Sequence, residues 1–384
     1  MDSMVLEYAS ADHATPPDPA AQRAVDRALS DLRRGEAVVI TAADGSALLA
    51  LAAEAVTTQA LNHLAQLAGS APALVVTGQR GRALGLEVPS DRPVRIAPPA
   101  GLTADLVRDL SDPTRPARAG QGTGATALPG GAEGAATILA KIARLLPAAI
   151  VAPLPPARGG LVDGGGFARR HDLLCVRAAD IVDYRRRSAR SLARVAEASV
   201  PLEDAERTRI VAFRPSDGGP EHLAIIVGDP PPGQPVLARL HSECFTGDLL
   251  GSLRCDCGPQ LRGAIKEIAA AGAGIVLYLA QEGRGIGLMN KLRAYRLQDG
   301  GLDTVDANTV LGFDADERVY LPAASMLRQL GYAQVRLLTN NPDKMVQLAA
   351  SGVAVVERVP HIFPANGHNE AYLRTKAEKS GHLF

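Results

Sequence analysis

Residues 239–260 read RLHSECFTGDLLGSLRCDCGPQ and contain three of the four cysteines of the chain. These three, Cys244, Cys255 and Cys257, follow the spacing C-x10-C-x-C among polar neighbours. Thiolate is a ligand type that zinc prefers, and a site with three protein ligands leaves a fourth tetrahedral position for water, as catalytic zinc sites do. The stretch therefore predicts one catalytic zinc ion held by the three cysteines.

Two structural interpretations compete with the zinc site. Free cysteines are often small buried hydrophobic residues, but here Arg254 and Asp256 adjoin the Cys-x-Cys pair and Glu243 adjoins Cys244. A disulfide is disfavoured because Cys255 and Cys257 are too close to bridge comfortably, and an odd cysteine would remain. The spacing also matches no common structural zinc finger.

The composition is that of a globular protein with room for two domains. The chain has 384 residues, of which 46% are hydrophobic and 21% charged, and its formal net charge is zero. A neutral chain lacks the electrostatic footprint of a partner for nucleic acid or an anionic membrane. We find no apolar run of membrane-spanning length and no basic secretory leader. Together with the few cysteines, this predicts a cytoplasmic protein without nucleic-acid or membrane partners.

The first half of the chain alternates short apolar runs with amphipathic segments, after a predicted flexible tail at residues 1–20. This alternation predicts a layered α/β domain over residues 21–200. The segment from Arg185 to Glu203 is expected to form a charged helix or a linker, with Pro201 as a plausible boundary. The predicted helices are 21–34, 57–68, 103–111 and 134–146, and the predicted strands are 37–40, 48–51, 73–76, 148–151 and 173–176.

The second half, residues 201–384, contains a strand that leads directly into the cysteine stretch. Strands are predicted at 209–213, 222–227, 236–240 and 274–279, and a helix at about 260–271. A glycine-rich turn, Gln281–Gly287, separates the last strand from a further helix. That order can make an anion site at a helix N-terminus, although a purely structural turn fits equally well. The fold class predicted for the chain is α/β (mixed α+β), with a mixed sheet and flanking helices in the second domain.

The residues 241–248, HSECFTGD, and 252–258, SLRCDCG, strongly resemble the zinc motif of GTP cyclohydrolase II. The resemblance continues almost without interruption from about residue 205 to the end of the chain. It implies hydrolysis of GTP to 2,5-diamino-6-ribosylamino-4(3H)-pyrimidinone 5′-phosphate, formate and pyrophosphate, the first step of riboflavin biosynthesis. It also implies a homodimer, a zinc ion, and Mg²⁺ bound with the GTP triphosphate.

The same resemblance implies roles for individual residues. Tyr295 would assist opening of the guanine ring, which an activated water attacks at C8. Arg318 would be either a nucleophile at the α-phosphate or a charge clamp, with Asp316 helping to remove a proton. Glu243 and Gln260 would recognise the guanine edge, and the other substrate-binding positions would be Arg239, Leu240, His241, Ser242, Glu282, Gly283, Arg284, Thr304, Thr339 and Lys344.

The N-terminal half is similar to 3,4-dihydroxy-2-butanone 4-phosphate synthase at 32–40, LRRGEAVVI, and 179–186, ADIVDYRR. That family has a dense acidic segment after its first strand, where this chain reads TAADGS at 41–46, with one carboxylate. The family motif Gly-His-Thr-Glu corresponds to Gly130–Glu133, in which Gly131 stands in place of the metal-binding histidine. A magnesium site needs several oxygen ligands. We therefore expect a degenerate synthase domain, retained for folding, dimerisation or regulation.

Two alternatives to a monofunctional cyclohydrolase stay open at this point. In the first, the chain is bifunctional and also makes 3,4-dihydroxy-2-butanone 4-phosphate. In the second, it is a non-catalytic GTP-binding regulator built on a cyclohydrolase fold. An assay with ribulose 5-phosphate distinguishes the first alternative, and GTP binding without turnover distinguishes the second.

Overall fold

The computed structural model describes residues 18–98, 100–115, 123–126, 131–156, 162–364, 367–381 and 383. Most of the predicted tail at 1–20, and Gly130, lie outside these residues. The helices are α1 Pro19–Arg34, α2 Thr58–Ala68, α3 Gly78–Ala83, α4 Ala104–Ser111, α5 Ala132–Ile142, α6 Gly164–Arg170, α7 Ala178–Arg190, α8 Cys257–Ala270, α9 Leu288–Asp299, α10 Thr304–Val310, α11 Leu321–Gln329, α12 Pro342–Ala350 and α13 Glu370–Ser380.

The strands are β1 Val38–Thr41, β2 Ala47–Ala52, β3 Ala73–Val76, β4 Val94–Ala97, β5 Thr123–Thr126, β6 Ala148–Pro153, β7 Leu174–Arg177, β8 Leu192–Ser199, β9 Thr208–Pro215, β10 His222–Val227, β11 Val236–Ser242, β12 Gly274–Leu279, β13 Gln334–Leu338 and β14 Ala354–Val359. Among the described residues they form two sheets of seven strands, ordered β5-β4-β3-β6-β2-β1-β7 and β14-β13-β11-β12-β10-β9-β8. Each sheet is mixed. The predicted class, α/β (mixed α+β) with two sheet-based domains, is confirmed.

The chain divides into two compact units that are not continuous in sequence. The first unit comprises Pro16–Arg185 and Met289–Glu317, and the second includes Arg186–Leu288 and Arg318–Phe384. The predicted linear division at residue 200 remains a prediction about domains. The first sheet lies entirely in the first unit and the second sheet in the second.

The first sheet is buried on both faces, which explains its nearly continuous apolar strands. Side chains alternate between the faces of a strand. Val38 and Ile40 of β1 therefore pack into one cluster with α1 and α5, while Val39 packs into another with α2 and α4. Only β1 and β7 pair in parallel, and the other neighbouring strands of this sheet are antiparallel.

The helix ends follow capping signals as well as apolar periodicity. Helix α1 begins at Pro19, two residues before the predicted start, because the Asp18 side chain accepts a hydrogen bond from the Ala20 amide. It ends at Gly35, whose left-handed backbone (φ 82°) terminates the helix. Proline at the first helical position suits the same start.

In the second unit, β11 lies inside the sheet, between β13 and β12, and is parallel to both. Ala238 and Leu240 face a cluster that contains residues of α11, whereas Leu237 faces a cluster with Ala264 and Ile268 of α8. By the same alternation, Arg239 and His241 lie on the α8 side. Sheet pairing and the two clusters thus fix the strand that leads into the cysteines.

The prediction of a charged helix or linker over residues 185–203 was wrong for residues 192–199, which form a strand. Helix α7 ends at Arg190, and β8 follows over Leu192–Ser199. This strand is the edge of the second sheet, with mostly exposed side chains, so it lacks the apolar alternation of a half-buried strand. Cross-strand pairing supports it instead, because Glu197 accepts from Arg209 of β9 at 2.6 Å.

Among the described residues, no helix is long and apolar enough to cross a membrane.

Candidate functional site

The three cysteines predicted to bind zinc come together in the second unit. The Sγ atoms of Cys244, Cys255 and Cys257 all lie within 4.8 Å of one another. Cys244 and Cys255 are buried, with their Sγ atoms 3.7 Å apart. Cys257 is the first residue of α8, where the helix dipole favours negative charge.

A π-helical turn, Phe245–Leu249, brings the first cysteine to the other two. The Cys244 Sγ caps this turn by accepting from the Gly247 amide at 3.3 Å. A Cβ atom at Gly247 would stand 2.8 Å from the Sγ of Cys255 and 3.0 Å from that of Cys244. A Cβ atom at Gly258 would stand 2.3 Å from the Gly247 carbonyl oxygen. Both glycines are therefore required by the close approach of the turn to α8.

The donor set fits a zinc ion. Its three sulfur atoms lie close enough to one another to bind a single central cation. None of the described cysteines forms a disulfide that would compete with the metal. Hydrogen bonding to Cys244, together with burial, raises the pKa of the Cys255 thiol to about 11. The Cys244 thiol likewise raises the pKa of Cys257 well above its ordinary value.

His241 anchors a buried network beside the cysteines. Its Nε2 lies 3.0 Å and 3.1 Å from the two oxygens of Asp248, and its ring stacks on Tyr278 at 5.5 Å. Asp248 also accepts from the Cys244 amide and from the Tyr278 hydroxyl, each at 3.0 Å. Burial lowers the pKa of His241, an effect that Asp248 opposes. The carboxylate of Asp248 thus ties β11 and β12 to the turn that carries Cys244.

Two predicted substrate-binding cations are buried near this network. Arg239 donates from Nη1 to the Leu338 carbonyl at 2.9 Å and from Nη2 to Gln260. Its Nε is buried without a hydrogen-bond partner among the described residues, and burial lowers its pKa. Lys344, in the first turn of α12, donates to the Leu240 carbonyl at 3.1 Å. Arg239 thus lies on the strand that leads into Cys244, and Lys344 is hydrogen-bonded to that strand.

Other predicted positions gather around the same strand ends. Thr339, just beyond β13, accepts from the Asn341 amide at 3.0 Å, and Arg318 lies over the Tyr320 ring at 5.8 Å. Lys344 lies 5.9 Å from the centre of that ring. The Ser242 Oγ is buried without a hydrogen-bond partner in the described part of the chain, and the Glu243 amide donates to the Leu279 carbonyl at 2.8 Å.

The glycine-rich turn predicted as an anion site follows β12 and precedes α9. Gly283 and Arg284 both adopt left-handed backbone conformations, with φ of 64° and 61°. The buried Glu282 carboxylate accepts from the Phe245 amide at 2.6 Å and from the Gly283 amide at 2.8 Å. Glu282 thus joins this turn to the turn after Cys244, a connection that the sequence did not predict.

His361 is a neighbour of the site that sequence reasoning missed. Its Nε2 lies 3.0 Å from the Gln260 carbonyl and its Nδ1 lies 2.9 Å from Glu267, so it supports the start of α8. The Phe363 ring covers Gly263, where a Cβ atom would lie 2.2 Å from the ring. The contact between Gly263 and Phe363 could not be predicted without the fold, because the two residues are far apart in the sequence.

Three predicted site residues belong to the first unit. Tyr295 lies on α9, with the Lys291 ammonium 5.6 Å from its ring centre. Thr304 begins α10, capped by Asp303, and Asp316 is exposed after that helix. Arg318 directly follows this segment in the chain but belongs to the second unit.

The structure also describes some of the positions at which the N-terminal half departs from the acidic metal site of the synthase family. Asp44, the one carboxylate of the 41–46 segment, accepts from the Ser46 amide at 2.9 Å and its hydroxyl at 2.6 Å. Gly131 stands at the N-cap of α5 and provides no side-chain hydrogen bond. Glu133 forms an ion pair with Arg95.

Comparisons with known proteins identify relatives of both the cysteine region and the whole chain. The family described as GTP cyclohydrolase II matches residues 193–360. A protein of Azospirillum brasilense named GTP cyclohydrolase-2 is 63% identical over 372 residues, which cover 96% of each chain. A Synechocystis protein named riboflavin biosynthesis protein RibBA is 39% identical, over 94% of this chain and 71% of the relative.

A solved structure of RibBX from A. baumannii, titled a two domain 3,4-dihydroxy-2-butanone 4-phosphate synthase, is similar over 87% of this chain and 99% of that chain. The identity is 19% and the TM-score 0.36.

Proposed function

Because the chain belongs to the GTP cyclohydrolase II family, as its relative of 63% identity over 96% of both chains shows, we propose that it hydrolyses GTP to 2,5-diamino-6-ribosylamino-4(3H)-pyrimidinone 5′-phosphate, formate and pyrophosphate. This reaction begins riboflavin biosynthesis. The observation that carries the proposal is the cluster of three cysteine Sγ atoms beside the buried His241 and Arg239.

Cys244, Cys255 and Cys257 are the residues that would hold zinc. When bound by three protein ligands, zinc activates water as a nucleophile near neutral pH. The chain's own residues fix the position of Cys244. Asp248 accepts a hydrogen bond from the Cys244 amide, and Glu282 accepts one from the Phe245 amide. Mg²⁺ would accompany the triphosphate, bound chiefly by phosphate oxygens.

Arg239 and Lys344 would bind the anionic part of GTP, with Arg284, Thr304 and Thr339. Both cations are nearly buried, 5% and 8% exposed, and charged hydrogen bonds from arginine and lysine are strong contacts for phosphate oxygens. Glu243 and Gln260 would recognise the guanine edge through hydrogen bonds, which discriminate sharply between bases. Leu240, His241, Ser242 and Gly283 complete the proposed binding surface.

The proposed chemistry at the α-phosphate involves Arg318 and Asp316, while Tyr295 assists ring opening. Arginine is normally a permanent cation. Arg318 as a charge clamp on the transition state therefore needs no change of protonation, whereas a nucleophilic role requires Asp316 to take a proton. In that role the Arg318 nitrogen would bond to the α-phosphorus as pyrophosphate leaves, so a nucleotidyl–enzyme adduct trapped on Arg318 during turnover would identify it.

The test is to follow formate, pyrophosphate and the pyrimidinone product in one sample of zinc-replete protein supplied with GTP. We expect equal yields of the three products. Pyrophosphate without formate would refute the proposed role of the cysteines. Binding of GTP without any product would favour a GTP-binding regulator.

A second candidate function concerns the N-terminal half. The relatives named RibBA favour a bifunctional enzyme that also makes 3,4-dihydroxy-2-butanone 4-phosphate, although Gly131 and the single carboxylate Asp44 depart from the synthase pattern. The test is release of that product from ribulose 5-phosphate with Mg²⁺. An Asp44→Asn variant with unchanged release would exclude this carboxylate from the activity, and no release at all would support the loss of synthase function.

The proposed assembly is a homodimer in the cytoplasm. Leu249 ends the turn after Cys244, and it and the following Leu250 and Leu253 are 71%, 64% and 57% exposed. Neighbouring exposed leucines favour an interface with another chain. Light scattering on the purified protein tests the dimer, and a monomer at micromolar concentration would refute it.

A further inference from the structure

The segment 289–317 is part of the same compact unit as the N-terminal half. It carries Tyr295, Thr304 and Asp316, three residues assigned above to the GTP reaction. Contacts of the N-terminal half with this segment could therefore affect the rate of the cyclohydrolase reaction, whether or not the N-terminal half has an activity of its own. The contacts within this unit show how.

Lys141, on α5, holds the end of the segment through buried charge. Its Nζ lies 2.8 Å from the Glu317 Oε1 and 3.0 Å from the Asp314 Oδ2. The Glu317 side chain is 3% exposed and also accepts from the Asp314 amide at 3.0 Å. Breaking a buried ion pair leaves an uncompensated charge, so these contacts strongly restrict residues 314–317.

A second set of contacts holds the residues just before this ion-pair cluster. The Thr77 hydroxyl donates to the Gly312 carbonyl at 2.7 Å, and Arg80 donates to the Val310 carbonyl at 3.2 Å. Gly312 has a left-handed φ of 95°, and a Cβ atom there would lie 2.8 Å from the Thr77 Oγ1 and 2.9 Å from Pro147. The backbone of 310–312 thus fits closely against the N-terminal half.

We propose that Lys141 is a positioning residue for the cyclohydrolase reaction. By holding Asp314 and Glu317, it fixes the backbone on both sides of Asp316 and at the point where the chain enters Arg318. This inference rests on the proposed function for its catalytic consequence. A misplacement of about 1 Å at reacting groups can lower a rate by about 100-fold.

The charge needed for this role is present at neutral pH. Burial alone would lower the pKa of Lys141, but Glu317 and Asp314 more than offset that effect and raise it above the ordinary value. The side chain is therefore an ammonium ion throughout the physiological range. Arginine at this position would keep the charge.

The experiment compares Lys141→Met, Lys141→Arg and wild-type protein. For K141M we expect kcat for pyrophosphate release to fall by roughly 10- to 100-fold while KM for GTP changes by less than about threefold, because Arg239 and Lys344 are untouched. We expect K141R to recover most of the rate. Hydrogen exchange should show faster exchange of the 310–318 amides in K141M, with 257–279 unchanged.

Arg95→Met is the matched control, because it breaks the ion pair with Glu133 on the same helix without touching 310–317. An equal loss in R95M, an unchanged rate in K141M, or unchanged exchange at 310–318 would each overturn the proposal. If K141M does not accumulate as folded protein, Glu317→Gln tests the same contact from the other side and should lower kcat in the same way. Wild-type protein that releases no product would refute the proposed function, while the exchange data would still decide whether Lys141 holds the segment.

Discussion

Gly247 is the residue on which the spacing of the three cysteines most depends. Its missing side chain leaves room for the Sγ atoms of Cys244 and Cys255, which a Cβ atom would approach at 3.0 Å and 2.8 Å. Since these are sulfur ligands of the proposed zinc site, a displacement of a few tenths of an ångström alters the coordination distances directly.

We therefore predict that Gly247→Ala reduces bound zinc to well below one ion per chain. Elemental analysis of the purified protein by mass spectrometry measures the ratio. Gly367→Ala is the control, because a Cβ atom at Gly367 meets nothing within 4 Å. A full complement of zinc in G247A would show that the cluster can spread without losing the metal.

At the scale of residues, the sequence indicated the cysteine cluster because its members lie within 14 positions of one another. The contact of His241 with Asp248 could not be predicted in the same way, because it depends on the π-helical turn that contains Asp248. His361 was missed because its contact with the Gln260 carbonyl joins residues 101 positions apart. Such contacts depend on the tertiary fold.

At the scale of elements, the glycine-rich turn between β12 and α9 contains an expensive backbone conformation. Arg284 has a φ of 61°, which costs a residue with a Cβ atom roughly 1–2 kcal/mol relative to glycine. Because backbone strain is often retained at functional sites, we propose that the Arg284 side chain has a function there.

We predict that Arg284→Gly leaves the thermal midpoint unchanged or higher and raises KM for GTP by about 10-fold, as expected for loss of one charged hydrogen bond. Calorimetry and steady-state kinetics measure the two effects. Asp172→Gly relieves a similar conformation (φ 53°) in the first unit and should leave KM unchanged. An unaltered KM in R284G would exclude Arg284 from GTP binding.

The elements themselves were predictable where burial is two-sided. Strands such as Ala73–Val76 and Gly274–Leu279 were predicted with these bounds, because buried strands read as continuous apolar runs. The edge strand β8 and the short helices α3 and α10 were not predicted, since they show neither apolar runs nor sustained periodicity. Their stability comes from pairing and caps, such as the Asp303 side chain before α10.

At the scale of the whole molecule, the composition of the first unit was beyond sequence reasoning. The linear division at residue 200 stays a prediction about domains, whereas contacts with Lys141, Thr77 and Arg80 place residues 289–317 in one compact unit with the N-terminal half. The sequence carries no local signal for this exchange, because the partners lie more than 170 positions apart.

We predict that a core defect in the N-terminal half impairs the cyclohydrolase. Leu139→Ala removes a fully buried side chain of α5, at a cost of about 2–5 kcal/mol. The temperature at which GTP turnover is irreversibly lost should fall by roughly 5–15 °C. Val182→Ala, at an exposed position of the same unit, should change it little. GTP turnover that persists after the first unit has unfolded would show that the two units work independently.

The inclusion of residues 289–317 in the first unit also affects the order in which the two units are completed during synthesis. Lys141 leaves the ribosome long before Asp314 and Glu317, and about 130 residues must be added between residue 185 and residue 317. At roughly 5–20 residues per second, this takes about 7 to 26 s. During that interval the nascent N-terminal half exists without the acidic partners of its buried lysine, so the first unit to be translated is completed only when most of the second has already emerged.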